Sequence, residues 1–409
     1  MHRIARWTAM FLVFCLYGSA ALAETKEELL ARGWWLWEEE SYAAAVETYT
    51  KVIGMDPTCA NAYLGRGWSH FGNGKMPEAL ADLNEAIRLD PNNVVAHLDR
   101  GTVHFKNGDY DHAFADANEA VRLDARCAMA YNNRSLAYNA KGDYLRAVAD
   151  ATRAIELDPK CANGWASRGY AYASLRRAKD AIRDYTRAVE LDPKCAVSRQ
   201  FLACARYANA EIDKAIVDST EAIRLDPKFA MAYGGRALFY LTEGDYDHAI
   251  ADAARAVELE PKSVPYRLDL ASIRYRAGDF DKAIADCNET IRLDPKLAAA
   301  YHGRGVAFFA KRDYDRAIAD FDEAIRLDAE DVNNAHVFEL ISLDGRRANS
   351  MRARAYYARG WAYLKNGQKV EAEADFAQAK KLGFNEAGEV SGMIFILQEP
   401  ATPAASRGR

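Results

Sequence analysis

The sequence predicts an all-α solenoid of antiparallel helix pairs, and three observations carry that reading. First, a block of 34 residues recurs ten times along a chain of 409, as 26–59, 60–93, 94–127, 128–161, 162–195, 196–229, 230–263, 264–297, 298–331 and 353–386. Second, small residues stand at the same two or three places in every block. Third, glycine and proline punctuate each block at fixed points. A fixed period of this length marks an architecture in which each unit buries its apolar face only by stacking on its neighbours.

Each unit justifies its elements in order. Position 8 is small throughout, as at Gly67, Gly169, Ala237 and Gly305, and lies on the first helix. Gly74, Gly108, Gly142, Gly244, Gly278 and Gly367 then sit where a left-handed residue ends that helix. Tyr110, Tyr144, Tyr246, Phe280 and Tyr314 follow two residues later and can cover the turn. On the second helix, position 20 is alanine in every unit, from Ala45 to Ala372, and position 27 is nearly always alanine. Small residues on both helices let their backbones approach closely. The unit closes on Leu-Asp-Pro at Leu89-Asp90-Pro91, Leu157-Asp158-Pro159, Leu191-Asp192-Pro193, Leu225-Asp226-Pro227 and Leu293-Asp294-Pro295, where proline stops the helix. Met55-Asp56-Pro57 and Leu259-Glu260-Pro261 keep the proline, whereas Leu123-Asp124-Ala125 and Leu327-Asp328-Ala329 keep only the phase.

These residues together resemble the tetratricopeptide repeat. Unit 162–195 carries Trp165, Gly169, Tyr172, Ala181, Tyr185, Ala188 and Pro193 at the family positions 4, 8, 11, 20, 24, 27 and 32. The likeness spans about 340 of the 386 residues beyond the N-terminal segment. It implies a right-handed superhelical solenoid whose first helices line a concave groove. Family positions 2, 5, 6, 9, 12 and 13 would face that groove. Projected here, they give Trp34, Trp37, Trp68, Phe71, Phe105, Tyr170, Tyr207, Tyr275, Tyr357 and Trp361 among the aromatics. The polar set is Asn61, Asn132, Asn133, Asn139, Asn163, Gln200 and His302. Amides can pair with an extended peptide backbone and aromatic faces can bury its side chains. The same aromatics could instead pack between adjacent first helices. The cationic clamp that some relatives use on C-terminal carboxylates is not expected: positions 2, 5 and 6 carry Leu64, Asp99, Asn133, Ser167 and Gly235, with Arg354 as the clear cation.

Two features depart from the generic pattern. Arginine occupies position 7 in eight units (Arg32, Arg66, Arg100, Arg134, Arg168, Arg236, Arg304 and Arg359), and aspartate occupies position 23 in nine, from Asp82 to Asp375. A catalytic acid would not be repeated nine times, so the two sets are expected to form an ion-pair ladder between helices. Units 196–229 and 264–297 have Leu202 and Leu270 in place of the arginine, which marks them as candidate hinges or specialised contacts. The segment 332–352 interrupts the period and is either an extended helix start or a segment with its own function. Residues 387–398 read as an amphipathic capping helix through Val390, Met393, Ile394 and Leu397, and 399–409 as a disordered tail.

The first 23 residues read as a secretory signal: His2, Arg3 and Arg6, an apolar run from Met10 to Tyr17, and Ala21-Leu22-Ala23 before the cut. The run is shorter than the roughly 20 residues a membrane span needs, which leaves an uncleaved anchor as the minor alternative. The expectation is an exported protein, periplasmic or extracellular, with no membrane span after cleavage. Its mature part has 52 basic and 59 acidic residues, net −7, which gives no support to nucleic-acid binding. Cys59, Cys127, Cys161 and Cys195 share position 34, so neighbours should stand a helix-packing distance apart, roughly 8–10 Å. Disulfides need Cα atoms within about 7 Å, so free thiols are expected.

No metal, cofactor or catalytic residue is expected. His97 and His104 fall on core positions 4 and 11, and His112 and His248 recur at position 19, so the repeat explains them. No His-Glu-x-x-His, Gly-x-Ser-x-Gly or phosphate-loop motif occurs. The sequence therefore points to a non-catalytic scaffold holding a protein or peptide in its groove, within envelope complex assembly or regulation. Two alternatives remain: an accessory subunit of an envelope glycan or polysaccharide enzyme, and an enzyme using 332–352.

Overall fold

The computed structural model describes residues 24–330 and 351–384. The signal 1–23, nearly all of the 332–352 insertion, the capping helix and the tail lie outside the described residues. Two compact units divide between Leu175 and Arg176. The first holds α1 (Lys26–Glu38), α2 (Tyr42–Met55), α3 (Ala60–Gly72), α4 (Met76–Leu89), α5 (Val94–Lys106), α6 (Tyr110–Leu123), α7 (Ala128–Ala140), α8 (Tyr144–Leu157) and α9 (Ala162–Ser174). The second holds α10 (Ala178–Leu191), α11 (Ala196–Ala208), α12 (Ile212–Leu225), α13 (Ala230–Glu243), α14 (Tyr246–Leu259), α15 (Val264–Arg276), α16 (Phe280–Leu293), α17 (Ala298–Ala310), α18 (Tyr314–Glu330), α19 (Met351–Lys365) and α20 (Lys369–Lys381). Among the described residues no strand occurs. Within each unit, consecutive helices pair as the period predicts.

The ends of the helices follow from local chemistry. Position 15 is left-handed in every repeat, with φ between 73° and 85° at the six glycines. Four repeats force a side chain into that region: Glu40 (57°), Arg176 (59°), Ala210 (60°) and Arg312 (63°). Aspartate then caps the second helix, its carboxylate accepting from the third backbone N–H at Asp109, Asp143, Asp245 and Asp279. The Leu-Asp-Pro aspartate has its own role. The Asp158 carboxylate accepts the N–H of Lys160 at 2.9 Å, and Asp124, which lacks the following proline, accepts that of Arg126 at 2.8 Å. The turn thus survives without proline because aspartate supplies half of it. At Leu327-Asp328-Ala329 the helix instead runs on to Glu330, and Asp328 accepts from the N–H of Arg352 near the start of α19.

Packing within a pair rests on matched sizes at positions 8 and 24. A Cβ on Gly33, Gly305 or Gly360 would meet the ring of Tyr49, Phe321 or Phe376 at 2.7 to 2.8 Å. Where position 8 carries a methyl group, at Ala203, Ala237 and Ala271, position 24 shrinks to Ser219, Ala253 and Cys287. The alanines at position 20 are buried throughout, as at Ala79, Ala249 and Ala317. Interiors this dense leave little room for an added methylene.

The ion-pair ladder is present. In the first unit Arg66, Arg100 and Arg134 each grip Asp82, Asp116 and Asp150 through two hydrogen bonds of 2.6–3.0 Å. In the second, Arg236, Arg304 and Arg359 grip Asp252, Asp320 and Asp375 in the same way, at 2.6–2.9 Å. The remaining guanidinium nitrogen reaches position 25 of the preceding repeat, at Asn84 from Arg100 (2.7 Å) and at Asn288 from Arg304 (2.7 Å). Each arginine thereby ties its own second helix to the preceding one. Arg32 departs from this, because position 23 of its repeat is Thr48; it pairs with Glu24 instead.

Units 196–229 and 264–297 keep an ion pair to position 23 without an arginine at position 7. Arg206, one turn beyond Leu202, reaches Asp218 at 2.6 Å, and Arg274, one turn beyond Leu270, reaches Asp286 at 2.6 Å. In six other repeats the arginine lies beside an aromatic ring at position 4, for example Arg236 at 6.0 Å from the Tyr233 centroid, with Tyr240 at position 11. The two variant repeats turn that aromatic-arginine-aromatic order inside out, into Arg199-Leu202-Arg206 and Arg267-Leu270-Arg274. Leu202 and Leu270 are buried, so the swap keeps both the core and the pair.

Candidate functional site

The first helices carry the positions that the resemblance assigns to ligand binding, and the structure separates them into two groups. In the first unit, positions 5 and 12 are consumed by contacts between successive first helices. Asn132 is buried and accepts from the Ser167 hydroxyl at 2.9 Å. Asn139 is buried and donates to the Ser167 carbonyl at 3.0 Å. Trp37 lies 6.2 Å from Trp68, which stacks on Phe71 at 5.0 Å; Phe105 packs on Tyr110 at 5.3 Å. Positions 2 and 9 keep more of their surface in solvent. Asn61 and Asn163 are exposed, Tyr170 and Trp34 are exposed at 41% and 51%, and Trp68 and Asn133 are half-buried.

The second unit repeats this at positions 5 and 12, but there position 9 is filled as well, at Val306 and Trp361. Gln200 is fully buried and accepts from the Ser219 hydroxyl at 2.8 Å. Tyr207 stacks on Phe239 at 4.8 Å with its hydroxyl 2.9 Å from that of Thr242. Tyr275 packs on Phe280 at 5.4 Å, and burial pushes its phenol well above the usual range. Tyr357 is buried and stacks on Phe384 at 4.2 Å; Trp361 packs edge-on to Phe376 at 5.7 Å. His302 is buried against Phe321, and burial, with the nearby Arg354 charge, pushes its imidazole down to about 3. These side chains build the stack of first helices and present little to a ligand.

What sequence reasoning missed is the apolar content of the open positions. Val95 and Met129 in the first unit, and Val197 and Met231 in the second, hold position 2 at 52%, 60%, 47% and 43% exposure. Beside them stand carboxylates with no ion pair among the described residues. Asp99, at position 6 of its repeat, is half-buried, and the surrounding protein pushes its carboxyl up to about 7. Asp269 occupies position 6 in the second unit; its surface is exposed, yet desolvation pushes it up to about 6. Cys204 behaves likewise, exposed in area but with its thiol pushed up to about 11. Their positions in the repeat were readable; their desolvation was not, because it depends on neighbouring repeats.

The six cysteines of the described residues are free thiols, and Cys59, Cys127, Cys161 and Cys195 stand at the N-caps of α3, α7, α9 and α11. His97 is buried, with Nδ1 3.4 Å from Asp116 and Nε2 3.1 Å from the Pro91 carbonyl, so it extends the ladder. Burial pushes the Asp116 carboxyl up, but the hydrogen bonds from His97 and Arg100 together hold it below the ordinary carboxylate value.

Family models described as tetratricopeptide repeat match residues 30–94, 98–160, 140–194, 202–264, 268–332 and 353–382. The chain belongs to the tetratricopeptide repeat family. Solved structures agree on the fold. A tetratricopeptide repeat protein from Parabacteroides merdae is 16% identical, with 60% of this chain and 97% of that one covered at a TM-score of 0.50. The human IFIT1 dimer with PPP-AAAA is 14% identical, with 89% and 92% covered at a TM-score of 0.52. A comparison with curated proteins gives no match. Among the described residues of this tetratricopeptide repeat protein, no helix is long and apolar enough to cross a membrane.

Proposed function

We propose that this tetratricopeptide repeat protein is an exported, non-catalytic scaffold that holds an extended protein segment on the faces of its first helices. The segment would carry a lysine or arginine flanked by apolar side chains. The observation that carries this reading is Asp99. A carboxylate desolvated to about 7, with no ion pair among the described residues, is costly to keep unless a cation completes it. Exposed Val95 and Met129 on the same class of positions offer apolar contacts beside it, and exposed Asn61 and Asn163 offer amides to a peptide backbone. The acidic balance, net −5 over the whole chain, favours a basic protein segment over nucleic acid. Export rests on the basic start, apolar run and Ala21-Leu22-Ala23 of the N-terminal segment. A role in assembling or regulating an envelope complex follows from that location.

A random-peptide display selection on the chain 24–409 tests the reading. Enriched sequences are expected to carry a basic residue between apolar ones. Enrichment without basic residues, or none at all, would overturn it.

A further inference from the structure

We propose that His104, Asp109 and His112 form a zinc-class divalent metal site at the helix turn of repeat 94–127. One ligand atom from each of the three residues lies within 4.8 Å of the others. The Asp109 carboxylate is the centre of the arrangement: Oδ2 accepts from His112 Nδ1 at 2.7 Å and stands 3.5 Å from His104 Nδ1. The other oxygen, Oδ1, accepts the backbone N–H of His112 at 3.2 Å, which fixes the carboxylate in place. His104 and His112 stack with ring centroids 5.0 Å apart and planes 24° apart, so the exposed His112 ring must turn for both in-plane lone pairs to meet one ion. His104 Nδ1 is buried and has no hydrogen-bond partner among the described residues.

Two imidazoles and a carboxylate are a donor set suited to zinc and its neighbours in the first transition row. Bonds of about 2.0–2.2 Å to a tetrahedral ion put ligand atoms roughly 3.4 Å apart. The His104–Asp109 spacing already meets that value, and the His112–Asp109 hydrogen bond lengthens slightly as the ion replaces its proton. Nδ1 gives up that proton while the exposed Nε2 takes one from solvent, so the imidazole stays neutral as it ligates. The fourth position faces water on the side of His112, whose side chain is 70% exposed. Oδ1 and its backbone partner then serve as the outer contact that orients the ligating carboxylate.

The chain contains its own control. Repeat 230–263 has the same turn: Asp245 accepts from the His248 N–H at 3.2 Å and from His248 Nδ1 at 2.7 Å. Its position 11 is Tyr240, stacked on His248 at 5.1 Å where His104 stacks on His112. Of the three ligand positions only 104 differs between the two turns, so His104 is what turns a helix cap into a three-ligand cluster, and tyrosine is a residue the turn accepts.

Calorimetric titration of the chain 24–409 with Zn²⁺, beside Co²⁺ absorption spectra, tests the site. The expected result is one equivalent bound, with a Co²⁺ spectrum lacking thiolate charge transfer. His104→Tyr is expected to abolish binding without changing helicity or the melting temperature in chelator. Asp109→Asn keeps the cap and is expected to weaken binding at least about tenfold. Tyr240→His is expected to add a second equivalent. Binding that His104→Tyr leaves unchanged, a thiolate spectrum, or no binding by the wild type would overturn the proposal.

Discussion

The arginine at position 7 explains more of this molecule than any other single residue type. Its fork satisfies one buried aspartate with two parallel bonds, and its third nitrogen reaches the previous repeat. Desolvation and attraction nearly balance in such pairs. Burial lifts the Asp218 and Asp320 carboxyls above their ordinary value despite adjacent arginines, whereas Asp116, with both His97 and Arg100, is held below it. Removing one partner is then far worse than never having had the pair. Arg236→Leu is expected to destabilise by about 3–5 kcal/mol, by leaving Asp252 buried and alone. Adding Tyr240→Arg should recover most of that loss, because Arg206 serves Asp218 from the same position 11. Urea unfolding of the single and double variants reads both outcomes; a double variant no better than the single would show that position 11 cannot replace position 7. Asp99 gives a second expectation. Its folded value, about 7, lies above the ordinary 3.8, so the folded state holds its proton more tightly than the unfolded chain. Its stability contribution is therefore lost as pH rises between those values. Asp99→Asn should raise the melting temperature at pH 8 and leave it unchanged at pH 4. Equal gains at both would show that the effect is not electrostatic.

At the scale of the element, most of the structure was legible in the sequence because each signal is local. Proline, aspartate and the turn glycine act within a few residues, and their repetition ten times removes ambiguity about phase. The ladder could be read because positions 7 and 23 lie on facing sides of one helix pair. Two things were not legible. The exchange of arginine between position 7 and positions 4 and 11 needs side-chain reach, which spacing alone does not supply. The division between exposed and stacking residues depends on the next repeat, so Asn132, Asn139, Gln200 and Tyr357 look like groove residues in sequence and are buried in the stack. The turns also carry a testable strain. Ala210 holds φ at 60°, in the region other repeats give to glycine. Relief of that strain exceeds the entropy that glycine adds to the unfolded chain, so Ala210→Gly should stabilise by about 1 kcal/mol. An equilibrium unfolding midpoint that falls instead would contradict the assignment.

At the scale of the whole molecule, sequence periodicity identifies an architecture and leaves its use to the surface. Ten repeats share one core recipe, and the positions that vary freely are those on the open faces of the first helices. There the first unit places valine, methionine, amides and Asp99, a carboxylate with no ion pair among the described residues, and these carry the proposal of a basic and apolar peptide strand. In the proposed complex the carboxylate is the anchor and the apolar residues are the walls. The most direct test is calorimetric affinity for a selected basic-apolar peptide, measured on the wild type, Asp99→Asn and Met129→Glu. Loss of a charge-assisted contact is expected to weaken binding about tenfold or more for Asp99→Asn, and Met129→Glu should weaken it as well. Equal affinity for all three would contradict the account and move the binding surface away from the first helices.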